Sequence, residues 1–128
     1  MRATEVLQRY MEGDCPDFDK VVLTDVNQHG KFGNTPLNYA CKRGNLEEVE
    51  ALPAAGANVD AEGEMGDKPL HDTAIQGHLA VVKRLLAAGA SPNMVNDYGR
   101  TPRDFAVSLN YPNVVAAIDD WCKLKGSR

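Results

Sequence analysis

The stretch that decides the fold is GDKPLHDTAIQGHLAVVKRLLAAGASPN, which spans residues 66–93. It contains two helical patterns of apolar residues, which are separated at Gly77 and closed by a glycine-rich turn at Gly89. Edited copies of this stretch lie on both sides of it at an interval of 33 residues. Several features that recur in one register at one period predict an array of stacked repeats.

Three kinds of marker carry this period. Threonine and proline open a helix, since Thr35 can cap a helix whose first position is Pro36, where a missing N–H costs nothing. The markers are prolines at 36, 69 and 102; Gly-Asn-Leu at 44–46, Gly-His-Leu at 77–79 and Asn-Tyr-Pro at 110–112; and Gly-Ala-Asn-Val-Asp at 56–60 with Gly-Ala-Ser-Pro-Asn at 89–93. Each unit is therefore predicted to hold two helices and a loop.

Size and composition are those of one ordinary globular domain, with 128 residues, 43% hydrophobic and 25% charged. Neither a signal peptide nor a transmembrane run is apparent. Cys15, Cys41 and Cys122 show no paired spacing, which favours reduced thiols in a cytoplasmic compartment. The net charge of −4 argues against a nucleic-acid partner.

The two ends of the chain are predicted to depart from the repeat. Residues 3–12 read as an amphipathic helix, and a second short helix is expected from Asp17, as a cap, to Leu23. Since Val26-Asn27 precedes Val59-Asp60 by 33 residues, this leading segment joins the array as a divergent capping repeat. The polar tail at 123–128 is expected to fray.

Two positions raise questions about helix boundaries. Pro53 stands in the place of Leu86, so a kink or an early end of that helix is expected. The last helix is predicted to begin with Asn110 near its cap and Pro112 in its first turn, and to continue through Ile118.

The pattern of the central stretch closely resembles the ankyrin repeat. The resemblance implies an all-α solenoid of stacked helix–turn–helix units with projecting β-hairpin-like loops, and it covers residues 27–120 well and the leading segment weakly. It implies one domain, 1–128, with a capping repeat at 1–30, repeats at 31–63 and 64–96, and a C-terminal capping repeat at 97–125. The residues that carry the resemblance are Gly66, Pro69, Leu70, His71, Ala74, Gly77, His78, Leu79, Val81 or Val82, Leu85, Leu86, Gly89, Ala90 and Asn93.

Departures from the family pattern are expected to weaken individual repeats without changing the fold. Asn38 stands where the family usually has histidine, and Lys68 replaces threonine.

The sequence offers little support for a catalytic site or a metal-binding site. His71 and His78, with Asp72 nearby, could ligate a metal, but the resemblance places both histidines at scaffold positions and no ligand cluster surrounds them. Cys41 reads as core and His29 as loop surface. No nucleophile–base motif or phosphate-binding loop is present, so no enzymatic activity, cofactor or metal is expected.

Three large apolar residues precede the leading glycines of successive units: Phe32, Met65 and Tyr98. The resemblance places them at the tips of the projecting loops, where no core is available to them. Single exposed apolar residues mean little, but three at equivalent positions predict a contiguous interaction ridge.

Further candidate contacts lie at free positions of the first helices, which by resemblance line the concave face. The first unit is basic there, with Lys31, and the second is acidic, with Glu62 and Asp67, which predicts a partner of polarised charge; ordinary solvation explains the charges equally well. Gln76 and Ser108 line the same face. The predicted partner-binding set is Phe32, Tyr39, Lys42, Arg43, Glu64, Met65, Asp72, Ile75, Tyr98, Phe105 and Leu109.

The function predicted from these features is binding of another protein through the loop tips and concave face, by a chain that is monomeric alone, without membrane or nucleic-acid partners. One alternative is an inhibitor or immunity-type protein that occludes a toxin or an enzyme. A second is a self-associating scaffold. An enzyme is the most remote.

Overall fold

The computed structural model describes residues 1–13 and 15–125, which form seven α-helices. The helices are α1 Ala3–Glu12, α2 Pro36–Arg43, α3 Leu46–Ala54, α4 Pro69–Gln76, α5 Leu79–Ala87, α6 Pro102–Ser108 and α7 Pro112–Lys125. Helices α2, α4 and α6 pack side by side in one row, while α3, α5 and α7 form a second row behind them. Helix α1 packs mainly on α3 and closes the stack at its N-terminal end.

Two of the first-row helices, α2 and α6, begin with the same local chemistry, whereas the N-cap residue of α4, Lys68, makes no side-chain cap. The Thr35 hydroxyl accepts a hydrogen bond from Asn38 N, and the Asn38 side chain accepts one from Thr35 N at 2.8 Å. Thr101 and Asp104 form the same reciprocal cap at α6. A proline at the first helical position adds a preset backbone angle, so the sequence markers and the helix starts coincide.

The two departures from the family pattern form bonds of their own. Asn38 completes its cap and donates to the carbonyl of Ala61 at 3.0 Å, which links α2 to the next loop. The ammonium group of Lys68 is buried, and it donates to Glu62 and to the carbonyls of Gly66 and Val95, each at 3.1 Å. Asn38 thus ties a helix to a loop, and Lys68 ties two neighbouring loops together.

Glycines end α2 and α4 for two reasons. Gly44 and Gly77 have φ of 70° and 71°, which side chains rarely adopt. A Cβ on Gly44 would also lie 2.5 Å from the imidazole of His78, and one on Gly77 would lie 2.8 Å from the ring of Tyr111. Tyr111 follows His78 by 33 residues. In two successive repeats, therefore, an aromatic ring packs against the glycine that ends the first helix of the preceding repeat.

The predicted second helix of the leading segment is wrong. Only one short 3-10 turn forms, Pro16–Phe18, and the chain beyond it has no regular helix before α2. The Asp17 carboxylate accepts from Phe32 N and from Asn34 N, so it holds the first projecting loop instead of capping a helix. Phe18, at the end of the 3-10 turn, and Leu23, in irregular structure, are buried and fill the end of the core.

Pro53 does not shorten its helix, so the expected early end is wrong. Helix α3 extends to Ala54, the counterpart of Ala87 at the end of α5. Pro53 lies in the last turn, where its missing N–H removes a single hydrogen bond. Ala57 N donates to Leu52 O at 3.0 Å and closes the turn as its counterpart does in α5.

The prediction that Pro112 lies in the first turn of the last helix is confirmed. The capping carbonyl, however, belongs to Tyr111, whose oxygen accepts a hydrogen bond from Val115 N. Asn110, with φ of 62°, instead follows the end of α6. Lys123–Lys125 are helical as the last residues of α7, and the remainder of the predicted tail, 126–128, lies outside the described residues.

A buried carboxylate that the sequence did not reveal fastens α1 to α3. Glu48 is fully buried and accepts from Tyr10 Oη at 2.6 Å and from Arg9 Nη1 at 3.0 Å, while Arg43 Nη1 lies 3.5 Å away. Burial and the neighbouring carboxylate raise the pKa of Tyr10, so the phenol remains a donor. Two arginines and a phenol thus converge on a single carboxylate.

We predict that Glu48→Gln lowers the free energy of unfolding by about 2 kcal/mol, because an amide cannot accept from both arginines and the phenol. Chemical denaturation measures the change. Glu47→Gln is the matched control, since Glu47 is exposed and shares the first turn of α3. Equal losses in the two variants would contradict the role given to Glu48.

Candidate functional site

Three projecting loops separate the helix pairs, and all are closed in the same way. Their tips are held by bonds from Gly33 N to Gly30 O, Gly66 N to Gly63 O and Gly99 N to Asn96 O, at 3.1, 3.2 and 3.1 Å. A second bond below each tip, such as Gly63 N to Asp67 O at 2.8 Å, pairs the two arms. The hairpin-like loops implied by the resemblance are confirmed.

Neighbouring loops are bonded to one another. Asn34 and Glu64 exchange two hydrogen bonds, Glu64 N to Asn34 Oδ1 at 3.1 Å and Asn34 Nδ2 to Glu64 Oε1 at 2.6 Å. In the next gap Asp97 N donates to Met65 O at 3.0 Å. A Cβ on Gly66 would lie 2.3 Å from an oxygen of Asp97, so the two loops are in close contact. The loops form one continuous, cross-linked edge.

Phe32, Met65 and Tyr98, here called the loop ridge, lie at these tips with 57%, 59% and 71% of their surface exposed. The exposure at loop tips agrees with the sequence analysis, while binding by these residues stays a prediction. Met65 also has a left-handed backbone, with φ of 60°. That conformation costs a non-glycine residue roughly 1–2 kcal/mol, so a residue chosen only for stability would be glycine or asparagine.

The residues predicted to line the concave face differ in their burial and in the neighbours they contact. Tyr39 is half-buried, because its ring packs edge-on against Tyr10 and Phe18, with centroids 5.1 and 6.0 Å away. The guanidinium of Arg43 lies 5.7 Å above the Tyr39 ring. Tyr39 and Arg43 therefore contribute in part to the packing of the leading segment against the first repeat.

The third unit contributes the other apolar members of the set. Phe105 is half-buried with its ring edge-on to His71 at 6.0 Å, and Leu109 is exposed just after α6. Ile75 is half-buried on α4.

The centre of the face holds an ion pair between α2 and α4. Lys42 Nζ lies 3.0 Å from Asp72 Oδ1, and the two side chains are 33% and 1% exposed. Asp72 was predicted to be a free surface position, which is wrong. Within the described part of the chain its second oxygen, Oδ2, makes no well-formed hydrogen bond, although the nearby amide of Asn38 acts to lower the pKa of the carboxyl. Burial outweighs the attraction of Lys42 and raises the pKa of Asp72 to about 7.

Three carboxylates, Glu64, Asp67 and Asp72, form what we call the acidic cluster around Lys42. Although burial opposes the charge on Lys42, these carboxylates raise its pKa, with Asp72 the largest contributor. Glu64 accepts from the amide of Asn34, and Asp67 accepts from the amide of Asn96 at 2.9 Å. Both of those partners are neutral, so one lysine faces three carboxylates.

His71 and His78 both make contacts that belong to the fold. His71 Nδ1 accepts from Lys68 N at 3.0 Å, and Nε2 lies 2.8 Å from Arg100 O, which fixes the neutral ring with its proton on Nε2. Burial lowers the pKa of His71. His78 packs on Gly44, and Cys41 is buried as predicted. Residues 1–13 and 15–125 contain no group of three or more side chains arranged to hold a metal ion.

A family model described as ankyrin repeats in three copies matches residues 3–96 and 55–119. The chain therefore belongs to the ankyrin repeat family, and the all-α repeat fold is confirmed. Members of this family are in general protein–protein interaction modules without enzymatic activity. A comparison with curated proteins found no match. No helix in the described residues has the length and apolar character needed to cross a membrane.

We predict that Asp72→Asn raises stability at pH 8 by about 2 kcal/mol. The folded carboxyl holds its proton up to about pH 7, whereas an unfolded one loses it near 3.8, so wild-type stability from this group falls as pH rises between these values. The rise of about three units corresponds to roughly 4 kcal/mol, and loss of the Lys42 attraction offsets part of it.

Urea denaturation at pH 8 and pH 5 checks this, and the gain is expected to be smaller at pH 5. Asp120→Asn, in an exposed position on α7, is the control. A destabilised Asp72→Asn variant at pH 8 would contradict the reading of Asp72 as a costly buried charge.

Proposed function

We propose that this protein binds another protein through the loop ridge and the adjoining concave face. The observation that carries the proposal is the loop ridge itself: three large apolar side chains, each more than half exposed, at equivalent tips of three neighbouring loops. Large apolar side chains gathered on one surface are typical of interaction sites, and their rings and thioether supply contact area at the centre of such sites.

The hydrogen bonds between loops support the same proposal. A surface that is already ordered loses little conformational freedom on binding, and more of the contact energy remains as affinity. The Asn34–Glu64 and Met65–Asp97 bonds order the loops in the unbound chain. The strained backbone of Met65 adds support, since strain persists where a side chain serves recognition.

Charge near the ridge favours a partner of mixed charge. The first unit presents exposed Lys31 and Arg43, whereas the second presents exposed Glu62 beside the acidic cluster. We infer a reducing, cytoplasmic-type compartment, because Cys15, Cys41 and Cys122 are all free thiols. The repeat boundaries at 30/31, 63/64 and 96/97 stay a prediction.

The experiment is affinity capture from the source cell followed by measurement of the dissociation constant with the purified partner. We predict that alanine at Phe32, Met65 and Tyr98 weakens binding about 100-fold, because each apolar anchor contributes of order 1 kcal/mol or more. Unchanged affinity with an intact fold would exclude the loop ridge as the site.

A matched control has alanine at Val22, Val107 and Leu124, which are 72%, 55% and 78% exposed but lie away from the loop tips. It removes exposed apolar side-chain atoms from three other positions. The proposal requires this control to bind like wild type, and an equal loss in both triple variants would indicate non-specific adhesion. Light scattering of the free chain, and the activity of the partner in the complex, separate the self-association and inhibitor alternatives from simple binding.

A further inference from the structure

The unpaired oxygen of Asp72 calls for a physical explanation. Asp72 lies in α4 with only 1% of its side chain exposed, and Oδ1 is bonded to Lys42. Oδ2 is equally buried and makes no well-formed hydrogen bond to the described residues, although the amide of Asn38 lies close enough to help lower the pKa of the carboxyl. Buried acceptors without a donor are rare in native proteins, since desolvation is then not compensated. The unpaired atom therefore points to a donor that comes from outside the chain.

The charge around this oxygen favours a cation. At pH 8, where Asp72 is ionised, the acidic cluster places three carboxylates near Lys42, so these four groups sum to a charge of −2. Among the described residues, the side-chain donors to Glu64 and Asp67 are the neutral amides of Asn34 and Asn96. An incoming cation is therefore attracted even while Lys42 is present.

Lys42, the side chain that covers Asp72, can change its conformation. Lys42 reaches Asp72 from the neighbouring helix α2, and its side chain is one-third exposed while that of Asp72 is covered. A lysine side chain is a flexible stem with a point charge, so its ammonium can turn to solvent or towards Glu64. Lys42 thus occupies the position that an incoming cation would take. When its side chain turns away, a route to the Asp72 carboxylate opens.

The flanking residues favour a planar cation. Asp72 corresponds by the 33-residue period to Tyr39 in α2 and Phe105 in α6, both half-buried. The three residues therefore occupy equivalent positions on the adjacent helices α2, α4 and α6, with the carboxylate on the helix between the two that carry aromatic residues. Guanidinium groups pair with carboxylates through two parallel hydrogen bonds and also pack on aromatic rings.

We propose that Asp72 is the binding site for an arginine side chain of the partner, which displaces Lys42 and donates to both oxygens of the carboxylate. This inference rests on the proposed function and names the chemistry of its central contact. The raised pKa of Asp72 supports it, because a residue retained for stability alone would not be a buried carboxylate whose charge is costly.

The direct test uses a small probe, N-acetyl-arginine amide, followed by proton–nitrogen correlation spectra at pH 8, where Asp72 is ionised. We expect saturable shifts confined to residues near Asp72 in wild type. Lys42→Gln is expected to bind the probe about fivefold more tightly or better, because the internal competitor is gone. Asp72→Asn, with unchanged spectral dispersion as proof of folding, is expected to lose the shifts.

Two matched probes set the outcomes that would overturn the assignment. N-acetyl-citrulline amide has the shape of the arginine probe without its charge, and equal shifts from it would exclude an ionic site. Equal affinity for N-acetyl-lysine amide would exclude the preference for arginine. Absence of saturable shifts from the arginine probe in both wild type and Lys42→Gln would exclude the site altogether.

Measurements on the captured partner separate this inference from the proposed function. If the loop-ridge triple variant loses the partner while Asp72→Asn binds it like wild type, the binding function stands and the arginine assignment is wrong. If Asp72→Asn weakens binding at least tenfold and the triple variant does not, the arginine assignment stands and the loop ridge is wrong.

Discussion

Hydrogen bonds that pass from one repeat to the next hold this structure together. Helices α4 and α5 have eight and nine residues, and isolated helices shorter than about 12–15 residues are marginal in water. Each repeat therefore depends on its neighbour to cover apolar side chains and to satisfy polar ones. Asp60 shows the dependence clearly, because its two oxygens accept from Ser91 N and Oγ in the following repeat, each at 3.0 Å.

The same dependence determines which residues remain for recognition. At the N-terminal end Glu48 is satisfied by α1, and between the loops Glu64 is satisfied by Asn34, so these polar groups are committed to the fold. The loop ridge is held in place by such bonds yet contributes little to the core. Asp72 is the exception within the concave face, since the fold buries it and satisfies only one of its oxygens.

The sequence predicted those features that depend on local chemistry. Helix α4 begins at Pro69 and ends before Gly77 because the preset angle of proline and the left-handed geometry of glycine are properties of the residues themselves. Burial of Asp72 was not predictable, since Lys42 lies 30 positions earlier and meets it only after α2 and α4 stack. Likewise, Asp17 suggested a helix start by its type, whereas its bonds to a loop about 15 residues later prevail.

Amide hydrogen exchange at the loop tips tests the central claim most directly. We predict that Glu64 N–H and Asp97 N–H exchange much more slowly than in an unstructured chain, although they lie at the edge of the molecule, because each donates to the preceding loop. Asn34→Ala should then remove the protection of Glu64 and leave that of Asp97. Exchange of both amides at unstructured rates in wild type would contradict a cross-linked, preordered binding edge.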